Sequence, residues 1–131
     1  MIVGAIRNPQ KSGGLFDLEE REEMLNESLE HLDNVVVVSF SKLVVEVAKE
    51  VGADMIVKGL RASSDAENEI SQAQMNLAIS GVHTLFLPSA SASSFIASKY
   101  IRDIARFGGD VSGLVPAPVE KRLRERFGTK R

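Results

Sequence analysis

Four consecutive valines, Val35, Val36, Val37 and Val38, lie inside the segment 34–40. A β-branched run that neither alternates nor repeats at helical spacing suits a strand buried on both faces, as in a parallel sheet. Parallel strands cannot be joined by a tight turn. Each needs a long crossover connection, most often a helix. The run therefore predicts helical segments on both sides of it, and the rest of the chain supplies them.

Residues 2–6 read as a strand (Ile2, Val3, Ala5, Ile6). Asp17 caps the helix that follows, and the order Asp17, Leu18, Glu19, Glu20 has the spacing of a capping box. Leu18, Met24, Leu25, Leu29 and Leu32 fall roughly on one face of it. After the valine strand, Ser41 can cap a helix through Leu43, Val44, Val47 and Ala48 that stops at Gly52. Residues 54–58 form a short strand centred on Met55, Ile56 and Val57. Ser63 or Ser64 caps a third helix, which reaches Ser80 and ends at Gly81. A fourth strand spans 82–87, and a helix over 96–107 ends at Gly108 and Gly109. Pro116 and Pro118 precede a last charged helix over 119–127. The order β-α-β-α-β-α-β-α-α predicts a doubly wound parallel sheet with helices on both faces. At 131 residues without repeat or linker, a single domain over 1–131 is expected.

Composition narrows the function. A net charge of −2 implies no general polyanion surface, so nucleic acid is not an expected partner. There is no cysteine, which removes disulfides and thiol catalysis. No apolar run approaches the ~20 residues of a membrane span, and the first residues lack the pattern of a signal peptide. A cytoplasmic protein without a membrane partner is the expectation.

Open parallel sheets bind ligands beyond the carboxyl ends of their strands. Arg7, Asn8 and Lys11 follow the first strand; Ser39, Ser41 and Lys42 follow the second; Lys58, Gly59 and Arg61 follow the third. The fourth leads into Pro88-Ser-Ala-Ser-Ala-Ser-Ser94 at the start of a helix. A single loop cation is usually only solvated. Cations at three strand ends of four, with hydroxyls and a helix N-terminus at the other, point to a phosphorylated ligand. Other chemistries are absent: there is no GxxxxGK[ST] loop and no GxGxxG fingerprint. His31 and His83 are far apart and lack metal-ligand spacing. The acidic stretch Asp65, Glu67, Glu69 opens a helix, where carboxylates are favoured without any metal. The closing Glu120-Lys-Arg-Leu-Arg-Glu-Arg126 run reads as a solvated helix face.

Several segments together resemble the bacterial phosphopantetheine adenylyltransferases. They are Asn8-Pro-Gln-Lys11, Leu15-Phe-Asp-Leu-Glu-Glu-Arg21, Ile56-Val-Lys-Gly-Leu-Arg-Ala62 with Asp65, Ala73-Gln-Met-Asn76 and Ser94-Phe-Ile96. The most specific is Ala105-Arg-Phe-Gly-Gly-Asp-Val-Ser-Gly-Leu-Val-Pro116. The resemblance covers nearly the whole chain and implies a Rossmann-like nucleotidyltransferase. That family transfers the adenylyl group of ATP to 4′-phosphopantetheine with Mg²⁺, and its members are typically homohexamers. By resemblance, Lys11 steadies the phosphates and the developing charge and is the catalytic candidate. Lys58 holds the phosphate of phosphopantetheine, and Leu43 and Val44 line the pantetheine arm. Arg61 and Glu69 lie on the nucleotide side, and Ser94, Phe95, Ile96, Ala97 and Ser98 cradle the ATP phosphates.

The chain also departs from the family pattern. The family begins with a strand and a loop ending in Gly-His, about thirty residues not found here, so by this analogy the first β-α unit is missing and the sheet lacks its central member. Ala66 and Asn68 replace two aromatics, Leu77 replaces a cation, and Ala97 and Lys99 replace two hydroxyls. These changes leave a second reading open: a non-catalytic relative that binds nucleotide or phosphopantetheine, or serves as an assembly partner. A phospho-receiver of similar topology needs carboxylates at its strand ends, and here the ends are basic.

Overall fold

The computed structural model describes residues 1–6, 14–60, 66–89 and 96–128. Its elements follow the predicted order: β1 (Ile2–Ile6), α1 (Leu18–Leu29), β2 (Val36–Phe40), α2 (Val44–Glu50), β3 (Ile56–Leu60), α3 (Ala66–Ser80), β4 (Thr84–Pro88), α4 (Ser98–Arg106) and α5 (Ala117–Phe127). The strands form two parallel pairs, β1 with β2 and β3 with β4. The described chain gathers into two compact units, one of residues 1–40 and 96–131, the other of residues 41–95.

In the first unit, Ile2 pairs with Val36 and Ile6 with Phe40. The Phe40 ring lies close over Gly4, where a Cβ would come within 2.6 Å of it. Helix α1 packs on this pair and begins as the sequence predicts. The Asp17 carboxylate accepts from the Glu20 N–H at 2.8 Å, and the Glu20 side chain accepts from the Asp17 N–H at 3.4 Å. The core centres on Ile101, Ala105, Val111 and Leu123 of α4, α5 and the turn between them. That turn is built from the specific Phe107-Gly-Gly-Asp-Val stretch. Gly108 takes φ +79°, its N–H donating to Ala105 O at 3.0 Å and that of Gly109 to Ile104 O at 2.8 Å, which satisfies two orphan carbonyls of α4. The chain then turns back so that Val111 is buried.

In the second unit, β3 and β4 pair from Ile56 with Thr84 to Leu60 with Pro88. Helix α2 buries Val45, Val47 and Ala48. Its cap differs from expectation. Leu43, not Ser41, holds the N-cap position, and no side chain bonds there. The extended backbone at Leu43 delays the first helical turn beyond the reach of Ser41. Strand β3 starts two residues later than the sequence suggests, because the ladder and not the centre of the apolar run sets its limits. The cap assigned to Ser63 or Ser64 lies outside the described residues.

Burial on both faces, expected of the valine strand, is not what the structure shows. Val36 is 56% exposed, and in the other pair Val57 is 55% exposed and Leu85 50%. In a two-stranded ladder each strand has a single hydrogen-bonded neighbour, so its flanks are covered only where a helix lies on them.

Candidate substrate and nucleotide site

Strand alternation decides which β3 side chains share a face. Ile56, Lys58 and Leu60 lie on one side and are partly buried; Val57 and Gly59 lie on the other. Lys58 stands in register with Phe86 of β4, two residues before the carboxyl end of the strand. Its ammonium donates to Glu69 Oε2 at 2.5 Å. Lys58 and Glu69 side chains are 40% and 31% exposed, so the pair is half-buried but reachable by solvent and ligand.

Glu69 is delivered by α3. The less exposed positions of that helix are Ala66, Glu69, Ala73, Asn76 and Ser80, a stripe at spacings of three and four. Small residues on either side of Glu69 let the helix bring a long acidic side chain inward. Its place in the first turn also suits the positive end of the helix. Glu67, in the same turn, is exposed and makes no ion pair among the described residues.

The other strand-end residues divide clearly. Lys42 is paired with Glu50 at the far end of α2, the helix that precedes the Lys58 strand in sequence order. A Cβ at Gly59 would meet open space, so the backbone there is approachable, but from the face opposite Lys58. Leu43 is exposed and Val44 partly buried at the start of α2. At the start of α4, Ala97 is the N-cap without a side-chain bond, Ser98 is exposed, and Ile96 packs against the core of its unit. Lys11, Arg61, Ser94 and Phe95 lie outside the described residues. The structure thus brings together Lys58 and Glu69 among the predicted site residues.

Two side chains outside the predicted site set hold strand ends. Arg21 of α1 donates to Ile6 O, the last carbonyl of β1, at 2.7 Å. Ser39, near the end of β2, donates to the neighbouring Glu22 carboxylate. The signal was the Glu-Glu-Arg start of α1, one turn beyond the Asp17 cap. Among the described residues no three His, Cys, Asp or Glu side chains converge as metal donors.

With this geometry in hand, comparison with known proteins is decisive. The profile of the Cytidylyltransferase-like family matches residues 1–104. A phosphopantetheine adenylyltransferase of Corynebacterium glutamicum (strain R) is 43% identical over 123 residues, covering 94% of this chain and 77% of that protein. The chain belongs to this nucleotidyltransferase family. The alternation of parallel strands and helices is the Rossmann-type arrangement of such proteins.

Proposed function

We propose that this protein is a pantetheine-phosphate adenylyltransferase, joining ATP and 4′-phosphopantetheine to give dephospho-CoA and pyrophosphate in coenzyme A synthesis. An oxygen of the pantetheine phosphate attacks the α-phosphorus of ATP, and the bond from that phosphorus to the oxygen bridging the β-phosphorus breaks. Such a transfer asks little covalent chemistry of the protein. It needs two anions held in line and the developing charge stabilised. The observation that carries the reading is the Lys58–Glu69 contact. The resemblance gives Lys58 to the phosphate of one substrate and Glu69 to the nucleotide. Their adjacency supports two ligands that must come within bonding distance.

In this reading Lys11 and Lys58 meet the phosphates, Leu43 and Val44 the pantetheine arm, and Arg61, Glu69 and residues 94–98 the nucleotide. Mg²⁺ fits as an ion held mainly through the nucleotide phosphates and water, as such ions usually are in phosphoryl-transfer sites. It would neutralise charge on the departing pyrophosphate. A cytoplasmic homohexamer completes the proposal. Exposed apolar side chains such as Val57, Leu85, Met75 and Ile79 support an assembly larger than one chain.

The second reading, a binding module without turnover, is favoured by Ala66, Asn68, Leu77, Ala97 and Lys99 at positions where the family carries aromatics, a cation and hydroxyls. Mass spectrometry of a reaction with both substrates separates the two. The adenylyltransferase reading expects dephospho-CoA; calorimetric binding of both substrates without that product supports the module.

A further inference from the structure

Lys58 does not wait as a bare cation. Its ammonium already holds a carboxylate, supplied by the same chain 11 residues later. A tethered partner acts at a high effective concentration, so an incoming anion competes with it on unequal terms. A neutral ligand gains nothing by displacing Glu69. A phosphate monoester carries about −1.5 to −2 charges near neutrality against one for a carboxylate. It therefore has the electrostatic advantage needed to open the pair.

We propose that Glu69 is an internal competitor for the anion seat at Lys58, so that the seat is filled by the phosphate of 4′-phosphopantetheine only as the ion pair opens. Glu69 thereby sets how strongly the site discriminates the phosphorylated ligand from pantetheine itself. The inference rests on the reading of Lys58 as the phosphate-holding residue and adds a role that Glu69 performs before any nucleotide binds.

The test is calorimetric titration of the full chain, without nucleotide, with 4′-phosphopantetheine and separately with pantetheine. Glu69→Gln should tighten phosphopantetheine binding about two- to fivefold, the scale of a partly exposed ion pair, and leave pantetheine binding unchanged. The double variant Lys58→Ala/Glu69→Gln should bind phosphopantetheine no better than Lys58→Ala alone, because the competitor matters only while Lys58 is present. If Glu69→Gln weakens both ligands equally, or leaves phosphopantetheine affinity unaltered while Lys58→Ala lowers it, the competitor role is wrong and the phosphate seat stands. If Lys58→Ala itself has no effect on phosphopantetheine, the seat is misassigned and the proposal goes with it.

Discussion

Two lysines near strand ends illustrate how position outranks charge. Lys42 is held by Glu50, whose side chain is well exposed and which lies on the outer end of α2. Lys58 sits partly buried on a strand face beside Phe86, with Glu69 as its partner. Removing Lys58 by Lys58→Ala should therefore cost phosphopantetheine binding about 1.5–3 kcal/mol, the value of a charge-assisted contact. Lys42→Ala should change it little, and parallel calorimetric titrations compare the two. Glycines divide in the same way. A Cβ at Gly109 would press within 2.6 Å of the Ile104 side chain and 3.1 Å of its carbonyl oxygen, whereas one at Gly59 meets nothing. Gly109→Ala should destabilise by about 1–3 kcal/mol through overpacking. Gly59→Ala should stay within about 0.5 kcal/mol; urea unfolding measures both.

Helix α5 is tied to α1 by side chains far apart in sequence. Arg122 reaches Glu23 at 2.8 Å and Glu27 at 3.3 Å. The hydrogen bond that Arg122 donates to Glu23, with the one to Glu27 and the charge of both carboxylates, outweighs desolvation and holds the guanidinium pKa above its ordinary value. Arg126 donates to Leu15 O at 2.8 Å, pairs with Glu20 at 3.0 Å and stacks over Phe16 at 5.3 Å. Arg126→Ala should lower stability by about 1 kcal/mol, the sum of modest exposed contacts, read from the urea midpoint. Strand β4 carries an opposite case: the buried Thr84 hydroxyl has no partner among the described residues. Thr84→Val should be neutral or stabilising by about 1 kcal/mol, because it removes an unsatisfied polar group at constant shape. These elements also show what the sequence makes legible. The Asp17 box, Gly81 and the Gly108–Gly109 turn are local chemistry, and each ends or begins a helix as read. The α2 cap and the β3 limits depend on backbone angles and ladder register, which no single residue encodes. Lys58 was singled out because strand ends in parallel sheets collect ligands. Glu69 was named only through the resemblance, and its pairing with Lys58 was not legible, because nothing in the spacing of 11 residues says that α3 folds back to bring it there.

At the scale of the molecule, each compact unit has its own buried set, Ile101, Ala105, Val111 and Leu123 in one and Val45, Val47 and Ala48 in the other. Hydrophobic periodicity was enough to name the fold class, because it depends only on which segments are apolar and at what repeat. Exposure was not, because it depends on which neighbours cover each strand. If the exposed apolar side chains are covered by further copies, sedimentation velocity should show a hexamer of the 14.2 kDa chain, and a monomer at micromolar concentration would remove that part of the proposal. The central claim is adenylyl transfer, and pyrophosphate release tests it most directly. The account predicts release that requires ATP and 4′-phosphopantetheine together, matches dephospho-CoA mole for mole and falls steeply in Lys58→Ala. Saturating binding of both substrates with no pyrophosphate formed would contradict it.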